Sequence, residues 1–107
     1  MQRSIIELEA ERLAWALETF PEATAYSSLQ KLKEEIKEVE EDLHNPNPRG
    51  VQTLFEYADC LMCLFDSAAR AGFKPDQIFE AFALKLKKNK SRTWIKNSNN
   101  TYSHVKQ

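Results

Sequence analysis

The sequence predicts an all-α protein: an antiparallel bundle of about four helices that assembles as an oligomer. Three observations carry that expectation. Only two glycines and four prolines occur in 107 residues, so turn-forming points are few. Four segments repeat apolar residues at the three- and four-residue spacing of a helix, and no strand pattern is visible. The third segment is apolar over too wide an arc for a lone chain of this size to cover.

The helices follow in order. Ser4 opens the first, with Glu7 three positions on as a capping box. Ile6, Leu13, Ala14 and Leu17 make its stripe, with Trp15 alongside, and Pro21 ends it. Ser27 or Ser28 caps the second helix, whose stripe is Leu29, Leu32, Ile36, Val39 and Leu43. Glu35, Glu38 and Asp42 run along one flank of that stripe, while Glu34 and Glu41 point to water. The loop HNPNPRG, from His44 to Gly50, then makes the second and third helices an antiparallel hairpin.

The third helix runs from about Val51 to Ala71, with Gly72 as its stop. Its core stripe is Leu54, Ala58, Leu61, Phe65 and Ala68, widened by Phe55, Met62 and Ala69. Glu56, Asp59 and Asp66 share one flank, and Arg70 is placed to pair with Asp66 one turn earlier. Pro75 suits the first turn of a fourth helix, cored by Ile78, Phe82 and Leu86 with Phe79 and Ala83 beside them. Lys85, Asn89 and Arg92 flank that stripe, and Trp94 follows. Residues 1–95 are expected to form one domain, and 96–107 a frayed polar tail.

Composition excludes several classes. A formal net charge of −1 provides no global field for nucleic acid. No apolar run approaches the roughly 20 residues that span a bilayer. The charged N-terminus is unlike a secretory signal, so the expected compartment is the cytoplasm, with no membrane and no nucleic-acid partner. Cys60 and Cys63 form a C-x-x-C, but tetrahedral zinc takes about four ligands, and only His44 and His104 are available to join. Two reduced thiols inside a helix explain the pair better.

The chemistry rests on carboxylates. Glu35 and Glu38 on one helix, and Glu56 and Asp59 on the next, each sit three residues apart on a helix face. The plain explanation is a solvated surface interleaved with Lys31, Lys33 and Lys37. The sharper one brings all four acids together, where only a cation relieves their repulsion. An all-carboxylate site suits Mg²⁺, or Mn²⁺, rather than zinc or copper. Such a cation activates water against a phosphoanhydride, with no need for a Ser, Cys or His nucleophile. The Lys85, Asn89, Arg92 and Trp94 edge is either a solvated basic helix end or a phosphate- and base-binding surface.

These residues resemble a known family. Helical E-E-x-x-E (Glu34, Glu35, Glu38), a spacer of about 17 residues and E-x-x-D (Glu56, Asp59) are similar to the signature of MazG-like, all-α nucleoside triphosphate pyrophosphohydrolases. WALETFP, LKEEIKEV, EYADCLMCLFDSAARAGF and KLKKNKSRTW look like successive blocks of the dATP/dGTP diphosphohydrolase branch, known from bacteria and phages. The resemblance spans roughly residues 10–95. It implies Mg²⁺-dependent cleavage of a (d)NTP, a purine dNTP in particular, to monophosphate and pyrophosphate. It implies Glu35, Glu38, Glu56 and Asp59 as catalytic metal ligands, Lys85, Asn89, Arg92 and Trp94 as substrate contacts, and a homodimer or homotetramer. The chain departs from the branch pattern at Lys31, where a histidine is frequent, and at Ile95, where a proline is. The alternative function is a non-catalytic protein that binds a nucleotide or alarmone, or a helical adaptor.

Overall fold

The computed structural model describes residues 3–45 and 50–106. It contains helices α1 (Ile5–Thr19), α2 (Ala25–His44), α3 (Val51–Arg70) and α4 (Pro75–Lys90), then strands β1 (Trp94–Lys96) and β2 (Tyr102–His104). Residues 46–49 of the predicted interhelical loop lie outside the described residues. The chain forms two compact units, Met1–Pro75 and Asp76–Gln107.

Local chemistry sets the helix ends. Ser4 Oγ accepts from Glu7 N at 3.1 Å, as its spacing predicts. The cap of α2 lies earlier than expected. Thr24 takes that place, its hydroxyl accepting from Ser27 N while Ser27 Oγ accepts from Thr24 N. Ser27 thus completes a reciprocal capping box from the third helical position, and Ser28 is free to turn inward. At the far end of α3, Gly72 adopts φ +98°, closed to most side chains. Gly72 N and Phe73 N donate to the Ala69 and Ala68 carbonyls, which closes the helix as a Schellman turn.

In the first unit α2 packs antiparallel along α3, and α1 lies on α3. The predicted stripes of α2 and α3 are buried only at Val39 and Phe65. Among the described residues the buried hydrophobics are Ala16, Val39 and Phe65. Leu54 is 68 % exposed and Leu61 46 %, although both belong to the expected core stripe of α3. Leu29, Ile36 and Leu43 of the α2 stripe are also open. The reason is geometric: α2 and α3 meet along their polar flanks, so one chain alone leaves the apolar faces uncovered.

The second unit corrects the frayed-tail expectation. After α4, Trp94, Ile95 and Lys96 pair antiparallel with His104, Ser103 and Tyr102. The connection works because asparagine tolerates left-handed backbone. Asn100 has φ 68°, Asn100 N donates to Asn97 O, and Asn97 N donates to Thr101 O at 2.7 Å. Asn99 Oδ1 holds both the amide and the hydroxyl of Thr101. A domain boundary at residue 95 would fall inside β1. No helix among the described residues is long and apolar enough to cross a membrane.

Candidate active site

Two hydrogen bonds fix the register of α2 against α3. Ser28 Oγ donates to Asp66 Oδ2 at 2.6 Å, and Thr53 Oγ1 donates to Asp42 Oδ2 at 3.1 Å. In an antiparallel pair, these contacts place Glu35 opposite Asp59 and Glu38 opposite Glu56 between them. Ser28, Glu35 and Asp42 recur every seven residues, so the seam itself is polar along its length.

The Asp66 end is a charged clamp. Arg12 Nη1 reaches Asp66 Oδ1 at 3.0 Å, and Arg70 Nε reaches Asp66 Oδ2 at 2.8 Å. Arg12 also grips Glu9, a buried acid that sequence patterning missed. Arg70 donates further to the Ala23 and Ala16 carbonyls. Asp66 is therefore structural, as its spacing from Arg70 suggests, but it ties three helices rather than one turn. Burial alone would raise its pKa. Hydrogen bonds from Ser28, Arg70 and Arg12 outweigh burial and hold it below the ordinary value.

The four candidate acids occupy the middle of the seam. Glu35 and Glu56 are buried, whereas Glu38 and Asp59 are exposed. A solvated surface describes the second two but not the first two. Lys31 Nζ meets Glu35 Oε1 at 3.4 Å from an exposed position. The Glu38 pKa is raised, chiefly by the charge of Glu35, with burial and Asp59 adding to it. The Glu56 pKa is raised first by its hydrogen-bonding proximity to Asp42 and then by burial, with Glu38 adding charge. Glu56 Oε2 is buried with no hydrogen-bond partner.

Among the described residues, no three His, Cys, Asp or Glu side chains already stand as a preformed cation cage. The donor chemistry nevertheless fits a hard cation. The acids repel one another, and a buried carboxylate oxygen lacks any donor, which is costly unless something positive meets it. The thiols of Cys60 and Cys63 are free. Burial, then the neighbouring acids, push both thiols up in pKa, so neither is a poised nucleophile.

A cavity of about 440 Å³ opens beside these acids, with Glu35, Asp59 and Lys31 in its lining. Its apolar wall includes Trp15, Phe20 and Met62. Trp15 and Phe20 meet edge to face at 5.2 Å. Sequence reasoning placed Trp15 only as a neighbour of a core stripe, because nothing local signals that a wall of α1 faces the acids of α2 and α3.

The second unit gathers the remaining candidates. Lys85 and Asn89 line one open groove with Phe82 and Leu86. Arg92 Nη1 donates to Asn89 Oδ1 at 3.3 Å, and Trp94 Nε1 donates to Asn89 O at 2.9 Å. Asn89 is thus the hub of that group. Trp94 also packs edge to face on His104.

A family model described as dATP/dGTP pyrophosphohydrolase matches residues 8–107. The chain belongs to that family. The match includes both acidic helices, α4 and the hairpin. A dATP/dGTP diphosphohydrolase of Cyanophage S-2L is 30 % identical over 107 residues, covering 98 % of this chain and 91 % of the relative. A solved structure of a Cyanophage S-2L MazG-like pyrophosphohydrolase superposes with a TM-score of 0.77 at 28 % identity, covering 98 % of this chain and 100 % of that one. That protein was captured with dGDP and three catalytic Mn²⁺ ions per active site. The all-α, MazG-like expectation is borne out by this likeness. As a pyrophosphohydrolase family member, the protein falls in the enzyme class expected from its paired acidic motifs.

Proposed function

We propose that this protein hydrolyses a purine deoxynucleoside triphosphate to its monophosphate and pyrophosphate, using Mg²⁺ or Mn²⁺ held by Glu35, Glu38, Glu56 and Asp59. The observation that carries this is the unpartnered buried oxygen of Glu56 in a seam of mutually repelling acids. The metal-loaded cyanophage relative supports it. When bound, such a cation supplies Lewis-acid chemistry, polarising a phosphoryl oxygen and making a water more acidic.

The chain's own residues do the rest. Glu35 and Glu56, fixed by burial, give the cation site its rigid half, while Glu38 and Asp59 face the solvent from which substrate and water arrive. Lys85, Asn89 and Arg92 are proposed to meet the phosphates, Lys85 as a point charge and Arg92 through a planar fork. Trp94 is proposed as a further substrate contact. The cavity walled by Trp15, Phe20 and Met62 is wide enough for a nucleobase and begins at the acids. Trp15→Ala is expected to raise KM for the best substrate about tenfold with a smaller change in kcat, because stacking on one aromatic ring contributes roughly 1–3 kcal/mol.

The uncovered apolar faces of α1 and α3 support a homodimer or homotetramer. Light-scattering mass measurement is expected to return a multiple of the 12.4 kDa chain, and a monomer at micromolar concentration would count against it. The function itself is tested by pyrophosphate release from a panel of the eight common NTPs and dNTPs with Mg²⁺. Purine deoxynucleotides are expected to be fastest. A flat profile, or pyrimidine preference, would overturn the substrate assignment. Tight nucleotide binding without product would favour the non-catalytic alternative.

A further inference from the structure

We propose that Asp42 is a fifth carboxylate of the cation site, sharing one divalent cation with Glu56. This rests on the metal-site reading above and extends it to a residue outside both acidic motifs.

Three observations converge on the pair. Asp42 lies one turn beyond Glu38 on the same flank of α2, and the register brings it across from the start of α3. Thr53 Oγ1 donates to Asp42 Oδ2, which ties the half-buried carboxylate to the seam. A carboxylate offers about four lone-pair sites, so that single bond leaves Asp42 with capacity to spare. Glu56 lies one turn beyond Thr53 on α3, on the face that meets Asp42.

Glu56 supplies the independent sign of a missing partner. It is only 9 % exposed, and its Oε2 meets no donor. Carboxylates gathered along one seam repel unless a proton or a cation lies between them. Hard divalent cations bridge such oxygens at about 2.0–2.6 Å. Thr53 then orients the Asp42 carboxylate without itself binding the cation.

The test is Mn²⁺ binding to the full chain, followed by the electron paramagnetic resonance signal of free Mn²⁺, without nucleotide. Wild type, Asp42→Asn, Thr53→Ala and Glu38→Gln are compared, with far-UV circular dichroism as the fold control. Asp42→Asn is nearly isosteric and retains an acceptor for Thr53. It is expected to lose one bound Mn²⁺ per chain, or to weaken it at least tenfold, at unchanged helix content. Thr53→Ala, which keeps the carboxylate, is expected to weaken binding by less. Should Asp42→Asn misfold, Asp42→Ser serves as the second neutral variant. Unchanged stoichiometry and affinity in Asp42→Asn would overturn the inference, and so would an equal loss in Thr53→Ala. The wider reading fails separately, if wild type binds no Mn²⁺ or if Glu38→Gln binds it as wild type does.

Discussion

Glu38→Gln and Asp59→Asn are each expected to lower kcat by about 10³-fold, since a divalent cation contributes several kcal/mol of transition-state stabilisation and each 1.4 kcal/mol is a factor of ten. Both side chains are exposed, so neither change opens a cavity or strands a buried group. Helix content is therefore expected to hold. The crowded charge at Glu38 gives a sharper signature. Glu38 has a raised pKa because Glu35 and, more weakly, Asp59 oppose its ionised form. A carboxylate whose folded pKa lies above its unfolded one is destabilising once ionised, so that stability falls as pH rises through the carboxylate range. Removing that charge leaves the melting temperature of the metal-free protein unchanged or slightly higher at pH 7. Wild type is expected to gain melting temperature on adding Mg²⁺, and that gain is expected to shrink in the same variants. Wild-type turnover in either variant would show that the four acids do not form one site.

Asp66→Ala is expected to cost about 3–5 kcal/mol, because breaking a buried ion pair leaves uncompensated charge behind. Here two guanidinium groups, Arg12 and Arg70, would lose a shared partner while their side chains stay only 11 % and 8 % exposed. The Ser28 bond that sets the helix register goes with them. A loss of that size lowers the melting temperature by more than about 10 °C in a domain of roughly 100 residues. The pH dependence has a definite sign. Asp66 keeps a folded pKa below the ordinary carboxylate value, so its contribution is complete above about pH 4. It is lost as pH falls through the folded value. Thermal melts of wild type and Asp66→Asn across pH 2–7 check this, with the gap between them closing on acidification. A melting temperature of Asp66→Ala within 2 °C of wild type would contradict the clamp.

The helices were legible because their signals are local. Ser4 with Glu7, Pro75 and Gly72 act within one turn, and each marks a boundary where the structure has one. The cap of α2 was misread because Ser27 is a capping-box partner of Thr24, and one serine type serves both positions. The hairpin was missed because W-I-K and Y-S-H are too short to show a period of two; the turn from Asn97 to Thr101 was its only clear sign. Burial was least legible. Leu54 and Leu61 look like core by period, yet they are exposed, because what covers an apolar face is a tertiary or quaternary matter.

The acids were legible as two pairs with a spacer. That Glu35 and Glu56 are buried while Glu38 and Asp59 are open was not, since the outcome depends on the register set by Ser28, Asp66, Asp42 and Thr53. Glu9 was hidden for the same reason, since nothing local marks its pairing with Arg12 as buried. The wall of Trp15 and Phe20 beside the acids needs α1 to be placed in three dimensions.

The most direct measurement is phosphorus NMR of the products formed from dGTP and Mg²⁺, with and without EDTA. The metal-site account predicts dGMP and pyrophosphate in equal amounts, with no orthophosphate, and no turnover once EDTA is present. Orthophosphate with dGDP would place cleavage at the wrong bond, and turnover that persists in EDTA would contradict the role assigned to Glu35, Glu38, Glu56 and Asp59.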